Sequence, residues 1–91
     1  MKGNGINWPE VAARLVRLRL ALGVSQVDID NATGIGTSRW NRFEQGERNI
    51  KPDDISALFH AYGVDANFIL FGWEDGLPSR VLESMRRLRA K

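Results

Sequence analysis

The feature that most constrains this chain is the placement of its glycines. Gly23, Gly34, Gly46, Gly63 and Gly72 interrupt it at short intervals, each after a segment that can form a helix. No run with the alternation of a strand is bounded by hairpin signals. The chain therefore has to hide its apolar residues by packing several short helices against one another. Its 91 residues suit one small domain of the all-α class, with five or six such helices.

The helix starts are equally legible. Asn7 can cap a helix that carries Pro9 in its first turn, and Glu10 can complete a capping box. Val11, Leu15, Leu18 and Leu22 then recur at helical spacing up to Gly23. Ser25, with Asp28 three residues on, opens a second helix that runs to about Thr33 and stops at Gly34. A third begins near Thr37 and ends before Gly46. Pro52 opens a fourth, with Asp53 and Asp54 as first-turn charges that suit a helix N-terminus. Asp65 caps a short apolar segment from Ala66 to Phe71. After a loop from Trp73 to Leu77, Pro78 and Ser79 start a last helix that reaches almost to Lys91. This divides the chain into an N-terminal arm (residues 1–7), a helical domain (8–72) and a C-terminal loop with a basic amphipathic helix (73–91).

Composition narrows the function. Without cysteine there is neither a disulfide nor a thiolate metal site. No apolar run approaches the roughly 18 residues of a membrane span, and the N-terminus leads into no signal-type apolar stretch. A cytoplasmic protein is the expectation. The net charge is only +2, but its distribution is polarised. Residues 1–51 hold eight basic and five acidic side chains, and residues 52–79 hold five acids without a Lys or Arg. Residues 80–91 hold five basic side chains against Glu83. Such a chain can present a positive face while remaining near neutral in total. His60 has no metal-ligating neighbours, no nucleophile–base set stands out, and no cofactor or catalytic activity is implied.

The stretch "TGIGTSRWNRFEQG", Thr33 to Gly46, raises the question of a phosphate-cradling loop. Such a loop joins a strand to a helix and usually ends in Gly-Lys-Ser/Thr. Here a helix precedes the turn and no lysine follows. A helix-turn-helix, two steeply crossing helices joined by a short turn that often contains glycine, is the better match. Val27, Ile29, Ile35, Trp40 and Phe43 supply apolar positions to pack the two helices together.

The segments "LGVSQ", "TGIGTS", "RFEQGER" and "YGVDANFILFG" resemble, in that order, the phage-repressor and Cro-like helix-turn-helix proteins of the XRE family. The resemblance covers roughly Val11 to Gly72. It implies a lambda-repressor-like bundle whose third helix enters the major groove of double-stranded DNA. Gln26 then resembles the glutamine that binds a phosphate and braces the recognition helix. Thr37, Ser38 and Arg42 match positions that reach base edges, with Arg39 and Asn41 as outward neighbours that could reach bases or backbone. Arg48, Asn49 and Lys51 occupy the loop that follows the sugar-phosphate backbone in relatives. Arg19 and Glu44 match a partly buried salt bridge. The chemistry suits these roles independently: Arg reads guanine, Asn reads adenine, and Ser and Thr are permissive.

Two positions depart from the family pattern. Asp30 stands where relatives carry a small apolar residue, and an unpartnered buried carboxylate there would be costly. Either the helices splay or Asp30 finds a partner. Trp40 replaces a smaller aliphatic residue and could offset wider spacing. Trp8, Phe59, Phe68 and Phe71 are expected in the core rather than as base-stacking platforms. Leu77, Val81, Met85 and Leu88 form a stripe on the last helix that either packs on its own domain or contacts a dimer or other partner. Lys2 makes only a weak minor-groove arm, and a disordered terminus is favoured. The expected function is a non-enzymatic, homodimeric transcriptional regulator, a repressor reading a near-palindromic operator. The alternatives are an antitoxin binding DNA and a toxin, and an adaptor that binds only protein.

Overall fold

The computed structural model describes residues 5–90. Lys2 and Lys91, the candidate arm residue and the end of the basic helix, lie outside the described residues. Six helices form: α1 (Trp8–Leu22), α2 (Gln26–Thr33), α3 (Thr37–Gln45), α4 (Pro52–Tyr62), α5 (Ala66–Phe71) and α6 (Ser79–Ala90). Among the described residues there is no strand. Asn7 accepts a hydrogen bond from the Glu10 N–H at 3.2 Å. The return bond expected of a capping box is not made, and Glu10 instead lies 3.5 Å from the Arg14 guanidinium. Ser25 and Asp28 do close a full box, at 2.8 and 3.0 Å, because the shorter aspartate still reaches the Ser25 N–H. Ile6, in the segment just before α1, is partly buried against the core.

The core is one cluster to which every helix contributes. Val11, Leu15 and Leu18 of α1 meet Ile29, Trp40, Phe43, Leu58, Phe68 and Ile69, and the connecting segments add Ile35, Ile50 and Val64. Trp40 and Phe43 pack edge to face, with ring centroids 6.0 Å apart. Three aromatic and aliphatic positions differ from expectation. Val27 is exposed, because two residues before Ile29 places it about 200° round α2 from the buried side. Phe59 and Phe71 are also exposed. The inward side of α4 is set by Asp54 and Leu58, and Phe59 points off it, edge-on to His60. Phe71 ends α5 and faces Trp73 at 5.9 Å.

The last helix packs on the chain itself. Leu77, Val81 and Met85 are buried, with Met85 only 3 % exposed. The stripe weighed as a dimer or partner contact is therefore spent, at these three positions, against the chain's own domain, where α6 lies on α1. Leu88 is left half-buried at its edge.

One carboxylate ties three helices together. Glu44 of α3 accepts from Arg19 of α1 through Nε at 2.6 Å and through the second guanidinium nitrogen at 3.2 Å. It also accepts from Trp40 Nε1 at 2.6 Å and from Gln26 Nε2, on α2, at 3.0 Å. Its side chain is 6 % exposed. Burial pushes its pKa up, but the bonds from Arg19, Trp40 and Gln26 outweigh that and hold it below the ordinary 4.5.

The turn between α2 and α3 is stitched by Thr33. Its hydroxyl donates to the Ile29 carbonyl at 2.7 Å and accepts from the Ile35 N–H at 3.1 Å. Ile35 is buried and pins the turn from within. Gly34 (φ 77°) and Gly36 (φ 91°) supply backbone angles that residues with a Cβ resist. Asp30, the other departure, resolves simply: it is half-exposed and leaves no buried polar atom unpartnered.

Three outcomes follow from this packing. A Cβ at position 34 meets nothing within 4 Å, so Gly34→Ala should cost only the backbone term, about 1–2 kcal/mol. Gly34→Asn should cost less, and equilibrium urea unfolding of the two variants checks the order. Arg19→Ala should lower stability by about 3 kcal/mol, because it strips a buried carboxylate of its counter-charge. The Glu44 pKa is depressed in the fold, so its contribution is complete above 4.5 and is lost as pH falls below that value. The parent should therefore lose stability on acidification more steeply than Glu44→Gln; parallel pH profiles from urea titrations would count against this assignment.

Candidate nucleic-acid interface

With Trp40 and Phe43 turned inward, helical geometry leaves one side of α3 free. Ser38, Asn41, Arg42 and Gln45 are all accessible, and Thr37 is half-buried at the first position. Gln45 lies outside the readout set implied by the resemblance, although it shares the 3.6-residue periodicity of Ser38, Asn41 and Arg42. No side chain caps the start of α3, because Gly36 occupies the cap position. The first N–H groups of the helix are thus left without side-chain partners, and their partial positive charge attracts anions.

The connection from α3 to α4 runs alongside. Arg48, Asn49 and Lys51 are exposed, while Ile50 between them is buried and anchors the loop. Three cationic or amide side chains therefore stand at the edge of the α3 surface on a short, fixed segment.

Two residues expected at this surface are engaged within the domain. Gln26 donates through Nε2 both to Glu44 and, at 3.1 Å, to Asn41 Oδ1. Its side-chain donors are directed at α3, and Asn41 keeps its own amide donors for other partners. A phosphate oxygen, which can only accept, would meet Gln26 through its backbone N–H or by displacing one of these bonds. Arg39 is not free either. Its guanidinium donates to Asp54 Oδ2 at 2.8 Å and lies 5.3 Å from the centroid of the Phe43 ring.

Asp54, read from the sequence as a helix-start charge, is only 4 % exposed. The same Oδ2 also accepts the Lys51 N–H at 3.0 Å. One buried carboxylate therefore joins the side of α3 to the end of the loop that carries Arg48, Asn49 and Lys51. A signal for this is present in the sequence. Asp54 stands one helical turn before Leu58 and two before Tyr62, on the inward stripe of α4.

The basic residues of α6 belong to another side of the molecule. On α1, Val11, Ala12 and Leu15 border Phe43 of α3, and Arg19 reaches Glu44. Arg14, Arg17, Ala21 and Leu22 instead border Val81, Met85 and Arg89 of α6. Position 14 is about 200° round the helix from position 12, so α6 and α3 flank α1 from different sides. Arg87 pairs with Glu83 at 3.1 Å and Arg89 with Glu74 at 2.7 Å. Arg14 lies inside this flank, donating to the Ile69 carbonyl at 2.9 Å; burial lowers its pKa more than nearby Glu10 raises it.

No helix among the described residues is long and apolar enough to cross a membrane. No curated protein and no solved structure matches the chain. A family model described as a helix-turn-helix domain matches residues 10–67, from the first turn of α1 into α5. That match takes in the α2–turn–α3 unit and its bracing helices and spans well over half of the chain, which thus belongs to the helix-turn-helix domain family.

Proposed function

We propose that this protein is a sequence-specific double-stranded DNA-binding regulator of transcription, a repressor that occludes its operator. The observation that carries this reading is the exposed side of α3. Ser38, Asn41, Arg42 and Gln45 stand above a buried Trp40 and Phe43, beside the Arg48–Lys51 loop. In this reading α3 enters the major groove. Thr37, Ser38, Asn41 and Arg42 contact base edges, and Arg48, Asn49 and Lys51 contact phosphates and set register. Gln26 contributes by bracing Asn41 and by its position at the start of α2. Arg39 stands at the margin of this surface and is engaged by Asp54.

The protein would act as a homodimer on a near-palindromic site with half-sites about 10 bp apart. Its working compartment is then the cytoplasm, and it needs neither a cofactor nor catalysis. The antitoxin reading offers the final helix as one possible partner surface. Leu77, Val81 and Met85 are instead buried within the chain, so the apolar stripe of that helix gives the antitoxin reading no support.

Selection from random duplexes at two salt concentrations tests binding, symmetry and spacing together. On the selected site, Arg42→Ala should cost about 1–3 kcal/mol and relax preference at one base step. Lys51→Ala should weaken all sequences alike and reduce the salt slope by about 1. An Arg42→Ala variant that binds the selected site as tightly as the parent would show that a different surface reads the DNA.

A further inference from the structure

The Arg39–Asp54 pair has a consequence for specificity. Arg39 is placed one residue after Ser38, at the margin of the surface assigned above to the groove, and its side chain is 34 % exposed. With α3 docked in the groove as proposed above, a guanidinium at this margin would face the DNA backbone on any sequence, and phosphate contacts add affinity without discriminating between sequences. Asp54 competes for that guanidinium from inside the domain. Its carboxylate is 5 % exposed, lies 2.8 Å from Arg39, and is held in place by the Lys51 N–H. The Phe43 ring lies under the same guanidinium. Contacts within α3, from α4 and through the loop thus keep one cation turned away from a ligand that would otherwise take it.

We propose that Asp54 is a specificity-determining residue for duplex binding, which withholds Arg39 from the phosphate backbone so that readout by α3 is not diluted by a sequence-blind contact. This inference rests on the duplex-binding reading given above. Asp54 touches no DNA in it and acts only through Arg39.

The test is binding of the selected site and of a scrambled duplex, across a salt series, by the full chain and its variants. Asp54→Asn and Asp54→Ser both remove the charge and keep an acceptor for the Lys51 N–H. Circular dichroism melts set a temperature at which each is folded. At least one neutral variant should bind the scrambled duplex ~5–10-fold more tightly at ~0.1 M salt, with a slope steeper by about 0.9, the signature of one more phosphate neutralised. The ratio of selected to scrambled affinity should fall. Adding Arg39→Gln to the same variant should remove the gain, which a merely structural role for Asp54 would not predict. Neutral variants that match the parent on scrambled DNA, or that weaken both duplexes in parallel, overturn the proposal. A parent that binds no duplex even at low salt overturns the functional reading itself, and the proposal with it.

Discussion

The fold of this protein depends on a carboxylate with almost no water around it. Glu44 stands where α1, α2 and α3 come together, and each of these helices supplies it with a donor. A buried charge is tolerable only when its lone pairs are matched, so the three helices have to reach it in register. Trp40 belongs to that requirement as much as to the core. Its indole fills space beside Phe43, and its N–H closes one of the bonds to Glu44. The larger side chain at this position therefore brings a polar function that an aliphatic residue could not.

A second carboxylate has a related role, further toward the surface. Glu44 sets how α3 crosses α1 and α2, and Asp54 sets how the following loop lies beside α3. In both cases an anion inside the domain engages cations and N–H groups of neighbouring segments. The exposed side of α3 is thereby left with Arg42 as its one unpaired cation among the described residues. A recognition surface gains discrimination when its polar groups are few and fixed, because each then has to meet a matching edge.

The helices are legible from the chain because caps and stops are local signals. Ser25 with Asp28, the glycine after each of α1 to α5, and the 3.6-residue recurrence of apolar residues in α1 all act within one or two turns. The outward side of α3 is legible for the same reason. What escapes a linear reading depends on partners distant in sequence. Asp54 looks like an ordinary first-turn charge until Arg39 is placed across from it. Phe59 and Val27 look like core residues until neighbouring helices fix which side of α4 and α2 is covered. The stripe of α6 fits packing at home as well as packing abroad, and only the presence of α1 opposite it decides the matter.

That placement of α6 bears on how the domain comes into being. α1 is the first helix of the described residues and is flanked by α3, α5 and α6. Its apolar side is covered in full only when segments remote from it in sequence have arrived. Such contacts slow the approach to the native state and leave apolar surface uncovered in the meantime. During synthesis the α2–turn–α3 unit would emerge while α1 still lacked one of its neighbours. The flank of α1 that α6 covers is thus the last to be closed, and a ribosome that has already released α3 still holds a chain with that flank open.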